Sequence, residues 1–443
     1  MSDLISSNYS DKDTIPRLHK KSNRLESSYR NFFFSFFLFQ VYRTNFTSLL
    51  KLLQIFVRTP LMIIGRIIIR LLLKKTELTP YRIKRTIPST TTQIFFAHSK
   101  LTGIDICMKL WPKHKMGNSS SEDPKRQLKD LLEGFTFNQR FAQGVYLGLA
   151  PVVIHEEGTQ KILRGNLIFK PSINNLKPCE YVIVMRNIQK EWKLDHQLHS
   201  KQDNLRTRKG MEFLAREVAC MHKQLETLQR DKDHSDVVAS KLAFNIGRLG
   251  QAVQLLRDAD LEKKYAYICG VMNTAYDKYT SFFNQRAYEG HIKRCHGDLK
   301  TTNLWVSPRK LFPRKLFALD CIDFNSDFCH IDTLSDIAML AVDMQQVMSA
   351  SDENDAEELT IHFLETYRKE MQENDVCVQP LLKYYMTEKA MVCSYVSILF
   401  DSSPGPGKRY LSFAYLLAQQ LERLLVYAIP ISPSEQVLAI PTN

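Results

Sequence analysis

The pattern of apolar and polar residues changes several times along the chain and divides it into five segments. Residues 1–30 are polar and charged without periodicity, which is typical of a disordered leader. Residues 31–92 mix apolar stretches with basic residues and predict a helical, basic extension. Short strand-like runs dominate residues 93–187, and long helical patterns dominate residues 188–430, before a tail at 431–443. The pattern therefore predicts an α+β protein in which a small sheet precedes a larger helical part.

The sheet-forming part is predicted to contain two strands and one long helix. Residues 93–97 and 105–111 have strand composition, and a turn at residues 99–103 separates them. Residues 123–141 have helical spacing. The apolar residues expected on the buried face of this helix are Leu128, Leu131, Leu132 and Phe135.

The later part of the chain is predicted to be mostly helical, because it contains few glycines and prolines and has helical periodicity. The segments assigned to helices are 190–289, 337–348, 362–372, 381–399 and 410–427. Between two of them, residues 352–358 are rich in acids and are expected to form a charged, solvated connector.

Two polar blocks in the helical part carry the candidate chemistry. The first contains Asp298, with Asn303 five residues later, and the second contains Asp323. Residues 304–306 and 315–319 have strand composition, and the segment between them contains two prolines, so they predict a hairpin. Such a hairpin would bring Asn303 back beside Asp323.

These three side chains are the polar set that phosphoryl transfer requires. That reaction depends on positioning and charge stabilisation, so an aspartate that accepts the proton of a hydroxyl is one requirement. Magnesium prefers a few carboxylate or amide oxygens together with phosphates and water. Asp298 is therefore the candidate base, and Asn303 and Asp323 are the candidate metal ligands. The alternative is an ordinary turn at Asp298 and an ordinary strand end at Asp323; two matched blocks favour the functional hypothesis.

The two blocks also resemble a known family. His-Gly-Asp-Leu-x-x-x-Asn at 296–303, followed by Ile-Asp-Phe at 322–324, is similar to the aminoglycoside phosphotransferase and choline kinase superfamily. The run Leu-Asp-Cys-Ile-Asp-Phe-Asn at 319–325 resembles an uncharacterised bacterial branch that is often fused to a P-loop ATPase domain. The resemblance covers roughly residues 93–430. It implies a two-lobed protein-kinase-like fold with a small antiparallel-sheet lobe, and an ATP-dependent kinase whose acceptor is an alcohol group.

The resemblance assigns roles to the residues that match its motifs. Asp298 becomes the catalytic base, and Asn303 and Asp323 become the magnesium ligands. It implies that His296 braces the catalytic loop and that Asp336 is a structural acid behind that loop. Asp320, three residues before Asp323, is interpreted as a turn or strand-edge acid.

Nucleotide contacts are expected mainly from the sheet lobe. Lys109 ends the strand-like run Ile-Cys-Met-Lys and is expected to hold the phosphates, with Glu133 on the following helix as its partner. An exposed position for Glu133 is the alternative. Met185, in the run Tyr-Val-Ile-Val-Met-Arg, is assigned as a further nucleotide contact by the resemblance. Lys300, two residues after the candidate base, either stabilises phosphates or is a solvated loop lysine.

One departure from the resemblance opens other functions. Residues 98–103 contain a single glycine, so the glycine-rich phosphate loop of many kinases is missing, and the prediction of ATP binding is weaker. A membrane-associated pseudokinase, or a nucleotide-binding scaffold, is the main alternative. A protein kinase has Lys300 in its favour, but the chain lacks the arginine expected between His296 and Asp298.

Composition narrows the class of protein further. The chain has 443 residues, 44% hydrophobic and 24% charged, as in ordinary globular proteins. Its nine cysteines include no Cys-x-x-Cys pair, so neither disulfide partners nor a zinc site is predicted, and a cytoplasmic location follows. The formal charge of +13 suits a phosphate-binding enzyme or a membrane surface. Nucleic acid is not favoured, because no recognition motif accompanies the charge.

Part of the positive charge lies in the extension. On a helical wheel the polar residues of residues 49–73 fall in one sector, and most other positions are aliphatic or aromatic. The basic members of that sector are Lys51, Arg58, Arg66 and Arg70. No uncharged run is long enough to span a bilayer. The two hypotheses are contact of residues 31–75 with an anionic membrane surface, at the inner face of the membrane, and helices packed on the kinase core.

Overall fold

The structure is a computed structural model that divides the chain into two compact units, Met1–Leu72 and Leu73–Asn443. It describes residues 81–88, 93–98, 105–110, 124–151, 154–157, 160–163, 167–168, 171–172, 176, 181–199, 205–228, 233–308, 314–323, 325–350 and 352–427. The predicted leader, the proposed membrane-facing segment at 31–75 and the tail at 431–443 lie outside these residues. All that follows therefore concerns the second unit.

A seven-stranded antiparallel sheet forms the first lobe of the described chain. Its strands are β1 (Tyr81–Pro88), β2 (Gln93–His98), β3 (Asp105–Leu110), β4 (Tyr146–Pro151), β5 (Ile154–Glu157), β6 (Gln160–Leu163) and β7 (Tyr181–Arg186). In space they follow the order β4-β7-β3-β2-β1-β6-β5, and each neighbouring pair is antiparallel. Strand β3 is therefore central, with Lys109 paired to Ile94 on one side and to Ile183 on the other.

Strand β1 corrects the predicted boundary of the extension. The prediction of a helical extension reaching residue 92 is wrong over Tyr81–Pro88, because this segment pairs in register with β2, from Arg82 opposite His98 to Pro88 opposite Gln93. Its sequence alternates aromatic or β-branched residues with basic ones, a period of two that suits a strand better than a helix.

One helix, α1 (Pro124–Phe141), packs on this sheet. Leu128, Leu131 and Phe135 are buried in a cluster with sheet residues, as the helical spacing predicts. The cluster also includes Leu319 from the helical lobe, so apolar packing joins the helix, the sheet and the candidate site.

The second lobe is mostly helical. Its helices are α2 (Leu194–His199), α3 (Arg208–Lys223), α4 (His234–Leu256), α5 (Ala259–Tyr288), α6 (Ser326–Cys329), α7 (Thr333–Ser349), α8 (Glu353–Met371), α9 (Val378–Leu399) and α10 (Pro404–Tyr427). Their apolar faces meet in one continuous core that includes fully buried aromatic residues such as Tyr279, Phe283 and Phe363. None of the described helices has the length and apolar character needed to cross a bilayer.

Helix α8 starts earlier than predicted. The acidic residues 353–358 form its first turns and are not a connector, because the Asp352 side chain caps the helix by accepting from the Asp355 backbone N–H at 3.1 Å. Asp355 in turn accepts from the Arg206 Nε at 2.8 Å. Acids in the first turn also suit the positive end of the helix dipole.

Two short hairpins support the candidate site. Strand β9 (Leu304–Val306) pairs with β10 (Leu316–Ala318), which confirms the predicted hairpin, and β8 (Ile292–Arg294) pairs with β11 (His330–Asp332). The α+β organisation predicted from the sequence, a small antiparallel sheet followed by a larger helical lobe, is confirmed.

Candidate functional site

A tight loop after β8 presents the candidate base. Gly297 has φ of +82°, and a Cβ there would lie 2.7 Å from the Phe328 carbonyl oxygen, so only glycine fits without strain. The chain therefore reverses sharply just before Asp298. Sequence requires glycine here for a steric reason that a local pattern alone does not reveal.

The loop is anchored from below by a buried acid. Asp336, in the first turn of α7, accepts from the backbone N–H groups of His296 at 3.0 Å and Gly297 at 2.9 Å. His222 contacts the same carboxylate at 3.2 Å. Burial opposes the charged form of Asp336, but the hydrogen bonds and charge of His222 outweigh it and lower the pKa. The predicted structural role of Asp336 is confirmed.

His296 links the two polar blocks. Its side chain is fully buried; Nε2 donates to the Leu319 carbonyl at 3.0 Å, and Nδ1 accepts from the Asp298 backbone N–H at 3.3 Å. This pairing requires the neutral Nε2–H tautomer. Burial is the main cause of its lowered pKa, which fits a neutral ring. His296 therefore braces the loop, as predicted.

Asp298, Lys300 and Asn303 form one hydrogen-bonded group. Lys300 Nζ lies 3.0 Å from Asp298 Oδ1, and the Asn303 side-chain amide donates to both the carbonyl oxygen and Oδ2 of Asp298 at 2.9 Å. The charge of Asp298 is the main cause of the raised pKa of Lys300. The Asp298 side chain remains 29% exposed, so a substrate hydroxyl can reach it.

A second support lies under the end of the loop. Asp343 on α7 accepts from the Thr301 backbone N–H at 2.8 Å and from its hydroxyl at 2.5 Å. The other oxygen of Asp343 accepts from the Tyr410 hydroxyl at 2.8 Å. Helices α7 and α10 thus hold Thr301, which lies between Lys300 and Asn303. Nothing in the local sequence pointed to Asp343 or Tyr410.

The second polar block runs directly beside this loop. Leu319 N donates to the Asn303 carbonyl at 2.9 Å, and Ile322 N donates to the His296 carbonyl at 2.9 Å. Asp320 lies between them, at φ of +66°, which is uncommon for a residue other than glycine. Its carboxylate is ion-paired with Lys109 of β3.

The Lys109–Asp320 pair connects the sheet to the helical lobe. Burial would lower the pKa of Lys109, but the charge and hydrogen bond of Asp320, with a smaller contribution from Asp323, raise it. For Asp320, burial opposes ionisation, and Lys109 and, more weakly, Lys300 lower the pKa below its ordinary value. Both groups are therefore charged, and the two blocks and Lys109 lie within electrostatic reach of one another.

The proposed partner of Lys109 is corrected by the structure. Glu133 does not pair with Lys109; it lies 53% exposed on α1, with Lys129 Nζ 3.8 Å away. The helix turns its buried face, which includes Gly134 and Asn138, toward the second polar block. Since neighbouring helical residues differ by about 100° in direction, Glu133 faces away from the site.

Asp323 lies against the backbone of α1. A Cβ built on Gly134 would lie only 2.5 Å from Asp323 Oδ2. Asp323 also contributes to the electrostatic environment of Lys109, so it belongs to the same region as Asp320. The structure thus brings together Asp298, Lys300, Asn303, Asp323 and Lys109, and adds Asp320.

Met185 is less accessible than a nucleotide contact usually is. It lies on β7 opposite Cys107 of β3 and Tyr146 of β4, and it is 8% exposed in the cluster that contains Phe135 and Leu319. Its position beside β3 keeps it near Lys109 in the sheet.

The described cysteines are all free thiols. Two of them lie next to the site, and burial raises the pKa of Cys321 and of Cys295. His222, Cys295 and Asp336 are close enough together to hold a metal, but Asp336 already accepts from two backbone N–H groups of the loop. This cluster is therefore a support for the loop.

Comparison with known proteins gives structural neighbours only. No protein-family model matches the chain, and no curated protein is significantly similar to it. Choline kinase from Cryptosporidium parvum Iowa II is 14% identical, with 84% of this chain and 97% of that chain covered at a TM-score of 0.45. Plasmodium vivax ethanolamine kinase is 12% identical over 78% and 84%, with a TM-score of 0.38. A microcompartment-associated aminopropanol kinase is 12% identical over 81% and 97%, with a TM-score of 0.45.

The names of these proteins agree with the superfamily that the two motif blocks resemble. A likeness this loose says nothing about which reaction this chain catalyses. The case for a function therefore depends on the side chains around Asp298.

Proposed function

We propose that this protein is an ATP-dependent phosphotransferase that moves the γ-phosphate of ATP to a hydroxyl of a small molecule. The observation that carries the proposal is the group formed by Asp298, Lys300 and Asn303, held beside the Lys109–Asp320 pair. A base, oxygen ligands and two cations in one place are what phosphoryl transfer requires.

Asp298 is the proposed base. Its carboxylate is partly exposed, while the Asn303 amide and the loop backbone fix its orientation. It would accept the proton of the acceptor hydroxyl as the oxygen attacks phosphorus. Lys300, 3.0 Å from Asp298, is placed to neutralise charge on the transferred phosphoryl group, which supports the phosphate-stabilising role over a solvated lysine.

Lys109 is the proposed phosphate ligand of the sheet lobe. It lies on the central strand, its side chain is 15% exposed, and its charge faces the second polar block through Asp320. Met185, on the neighbouring strand β7, is the proposed further contact with the nucleotide. Glu133 has no part in this proposal, because it faces away from Lys109.

The oxygen donors of the site fit magnesium. The Asn303 amide donates through its nitrogen to Asp298, which leaves its oxygen as a ligand atom, and carboxylates follow at Asp320 and Asp323. Hard oxygen donors of this kind suit Mg²⁺, with phosphates and water completing the shell. The sequence proposes Asn303 and Asp323 as the ligands. The bound ion would neutralise the charge of the phosphates.

The test is an ATP-consumption screen of the purified full-length chain against a pool of hydroxylated small molecules, with Mg²⁺ present. For an active acceptor, Asp298→Asn is expected to lower kcat by about 100-fold or more, because a general base contributes about 10²- to 10⁴-fold. Binding of Mg-ATP, measured by calorimetry, is expected to persist.

The matched control is Asp260→Asn on α5, an exposed acid paired with Lys264 at 2.7 Å, which should leave turnover unchanged. A wild-type chain that neither binds Mg-ATP nor consumes ATP with any acceptor would refute the proposal. Binding without turnover would instead favour the pseudokinase.

A further inference from the structure

We infer that Asp320, and not Asp323, is the carboxylate that faces the metal and the phosphates together with Asn303, and that Asp323 fastens this segment to helix α1. The inference rests on the proposed function and reassigns one of its residues. Four observations carry it.

The first observation is the register of the hairpin. Leu304 of β9 pairs with Ala318 of β10, and Leu319 N donates to the Asn303 carbonyl at 2.9 Å. Asp320 therefore leaves the ladder immediately next to Asn303. Asp323 comes three residues later, after Ile322 has already bonded back to His296.

The second observation is the exposure and backbone of Asp320. Its side chain is 58% exposed although it is paired with Lys109, so one side of the carboxylate is open to a ligand. Its φ of +66° places an aspartate in the left-handed region, and such conformations persist where the surroundings enforce them, often at functional sites.

The third observation is how that conformation is held. Asp320 N donates to the Tyr146 hydroxyl at 3.1 Å, and Cys321 N donates to Asn138 Oδ1 at 3.1 Å. The Tyr146 hydroxyl in turn donates to the same Asn138 oxygen at 2.9 Å. Both supporting side chains are buried. The backbone of Asp320 is thus fixed by α1 and β4, while its carboxylate is directed to Lys109.

The fourth observation is the contrast with Asp323. A Cβ on Gly134 would lie 2.5 Å from Asp323 Oδ2, 3.1 Å from Cγ and 3.2 Å from Cβ. The whole side chain, and not only its tip, therefore lies on the helix backbone. A carboxylate in that position supports the contact between the helix and the loop.

The test separates the two acids by the metal dependence of nucleotide binding. Calorimetry gives the affinity of the full-length chain for ATP with Mg²⁺ and with EDTA, and the ratio measures the metal contribution. Asp320→Asn is expected to lower the Mg-ATP affinity by about tenfold or more and to reduce this ratio toward one. Asp323→Asn is expected to keep the metal-dependent ratio and to lower the melting temperature.

Two further measurements guard against a merely structural effect. Binding of Mn²⁺ in the presence of ADP, followed by electron paramagnetic resonance, should be weakened in Asp320→Asn and retained in Asp323→Asn. Asp320→Glu keeps a carboxylate and should recover part of the metal dependence. Glu133→Gln, an acid on the outer face of α1, is the matched control and should behave as wild type.

The opposite result, with metal dependence lost in Asp323→Asn and kept in Asp320→Asn, would overturn the inference and leave the proposed function standing. Equal loss in both variants would overturn it too. A wild-type chain that does not bind Mg-ATP would refute the proposed function itself.

Discussion

At the scale of single residues, the position of Gly134 determines how closely the second polar block approaches helix α1. The carboxylate, Cγ and Cβ of Asp323 all lie where a methyl group at position 134 would be. Rotation of the Asp323 side chain alone cannot relieve this overlap, because Asp323 Cβ is itself only 3.2 Å away. The missing side chain therefore brings the loop against the helix.

Replacement of this glycine should be destabilising although alanine is the better helix former. Gly134→Ala is expected to lower the free energy of unfolding by about 1–3 kcal/mol, the usual cost of overpacking, and to weaken Mg-ATP binding by displacing the loop. Urea unfolding followed by circular dichroism measures the first effect, and calorimetry the second.

The control for this prediction is Gly247→Ala in the interior of α4, where a new Cβ would meet no atom within 4 Å. That change is expected to stabilise the protein by about 0.5–1 kcal/mol, because only the helix propensity changes. Equal effects of the two substitutions would show that Gly134 is not tightly packed.

The same scale shows what could be predicted from the sequence. Asp298 and Asn303 were found because their spacing within one loop is a local property, and the contacts of Asp298 with Asn303 agree with it. The partner of Lys109 was not, because Asp320 is 211 residues away along the chain and its selection over Glu133 depends on the rotation of α1. Between two acids three residues apart, only the backbone conformation distinguishes their surroundings.

At the scale of elements, helices α7 and α10 hold the end of the catalytic loop through Asp343. Its carboxylate joins Thr301 to the Tyr410 hydroxyl. Burial, and then the charge of Asp343, raise the pKa of Tyr410, so this hydroxyl remains a donor. A residue more than 100 positions away thus contributes to the position of the loop.

Removal of that hydroxyl should loosen the loop. Tyr410→Phe is expected to lower the free energy of unfolding by about 1 kcal/mol, the usual net value of one hydrogen bond, and to speed amide hydrogen exchange in residues 296–303. Mass spectrometry of the exchanged peptides measures the effect. Tyr415→Phe, on the same helix, packs its ring against Tyr267 and should leave exchange in the loop unchanged. Unaltered exchange in Tyr410→Phe would remove Tyr410 from the support of the loop.

A buried ionic group joins α5, β11 and the segment after α8. Arg286 donates to Asp332 at 2.5 and 2.8 Å and to Glu373 at 2.7 and 2.9 Å. Burial opposes ionisation of Glu373, but hydrogen bonds from His291 and Arg286 lower its pKa from 4.5 to about 2. Since Glu373 is more acidic in the folded chain, its stabilising contribution is complete above pH 4.5 and disappears as the pH falls toward 2.

Glu373→Gln should therefore be costly at neutral pH and much less so in acid. The expected loss is about 3 kcal/mol at pH 7, because a buried arginine loses one of its two carboxylates, and the difference from wild type should shrink between pH 4.5 and pH 2. Urea unfolding over this pH range measures it. Glu370→Gln, whose partner Arg216 lies 3.3 Å away at the surface, should cost less than about 1 kcal/mol. A pH-independent loss in Glu373→Gln would contradict the assignment.

Elements were easier to predict than their limits. The hairpin β9–β10 follows from strand composition on both sides of a proline-containing loop. Strand β1 was missed because its neighbours in the chain are basic and apolar like those of the extension, and only pairing with β2 identifies it. The early start of α8 was missed because acids read as a solvated connector also serve as a capped first turn.

At the scale of the whole molecule, the formal charge of +13 remains to be assigned a role. Part of the positive charge in the described chain is neutralised in pairs, such as Arg286 with Asp332 and Lys109 with Asp320. The extension carries several further basic residues, and their placement in one sector of a helical wheel favours an anionic surface as partner.

This hypothesis predicts salt-sensitive binding of the full-length chain to vesicles that contain phosphatidylserine, and little binding to vesicles of phosphatidylcholine alone. Replacing Arg58, Arg66 and Arg70 together by glutamine should weaken binding about 100-fold, since each basic residue near an anionic surface contributes about 1 kcal/mol. Cosedimentation with the two vesicle types measures it, and exchange of Lys263, Lys264 and Arg257 around the start of α5 for glutamine is a control of equal charge. If both triple variants bind equally, or if wild type ignores the lipid charge, the extension instead packs on the kinase core. Loss of unfolding free energy in the first variant would then be the result that the packing hypothesis requires.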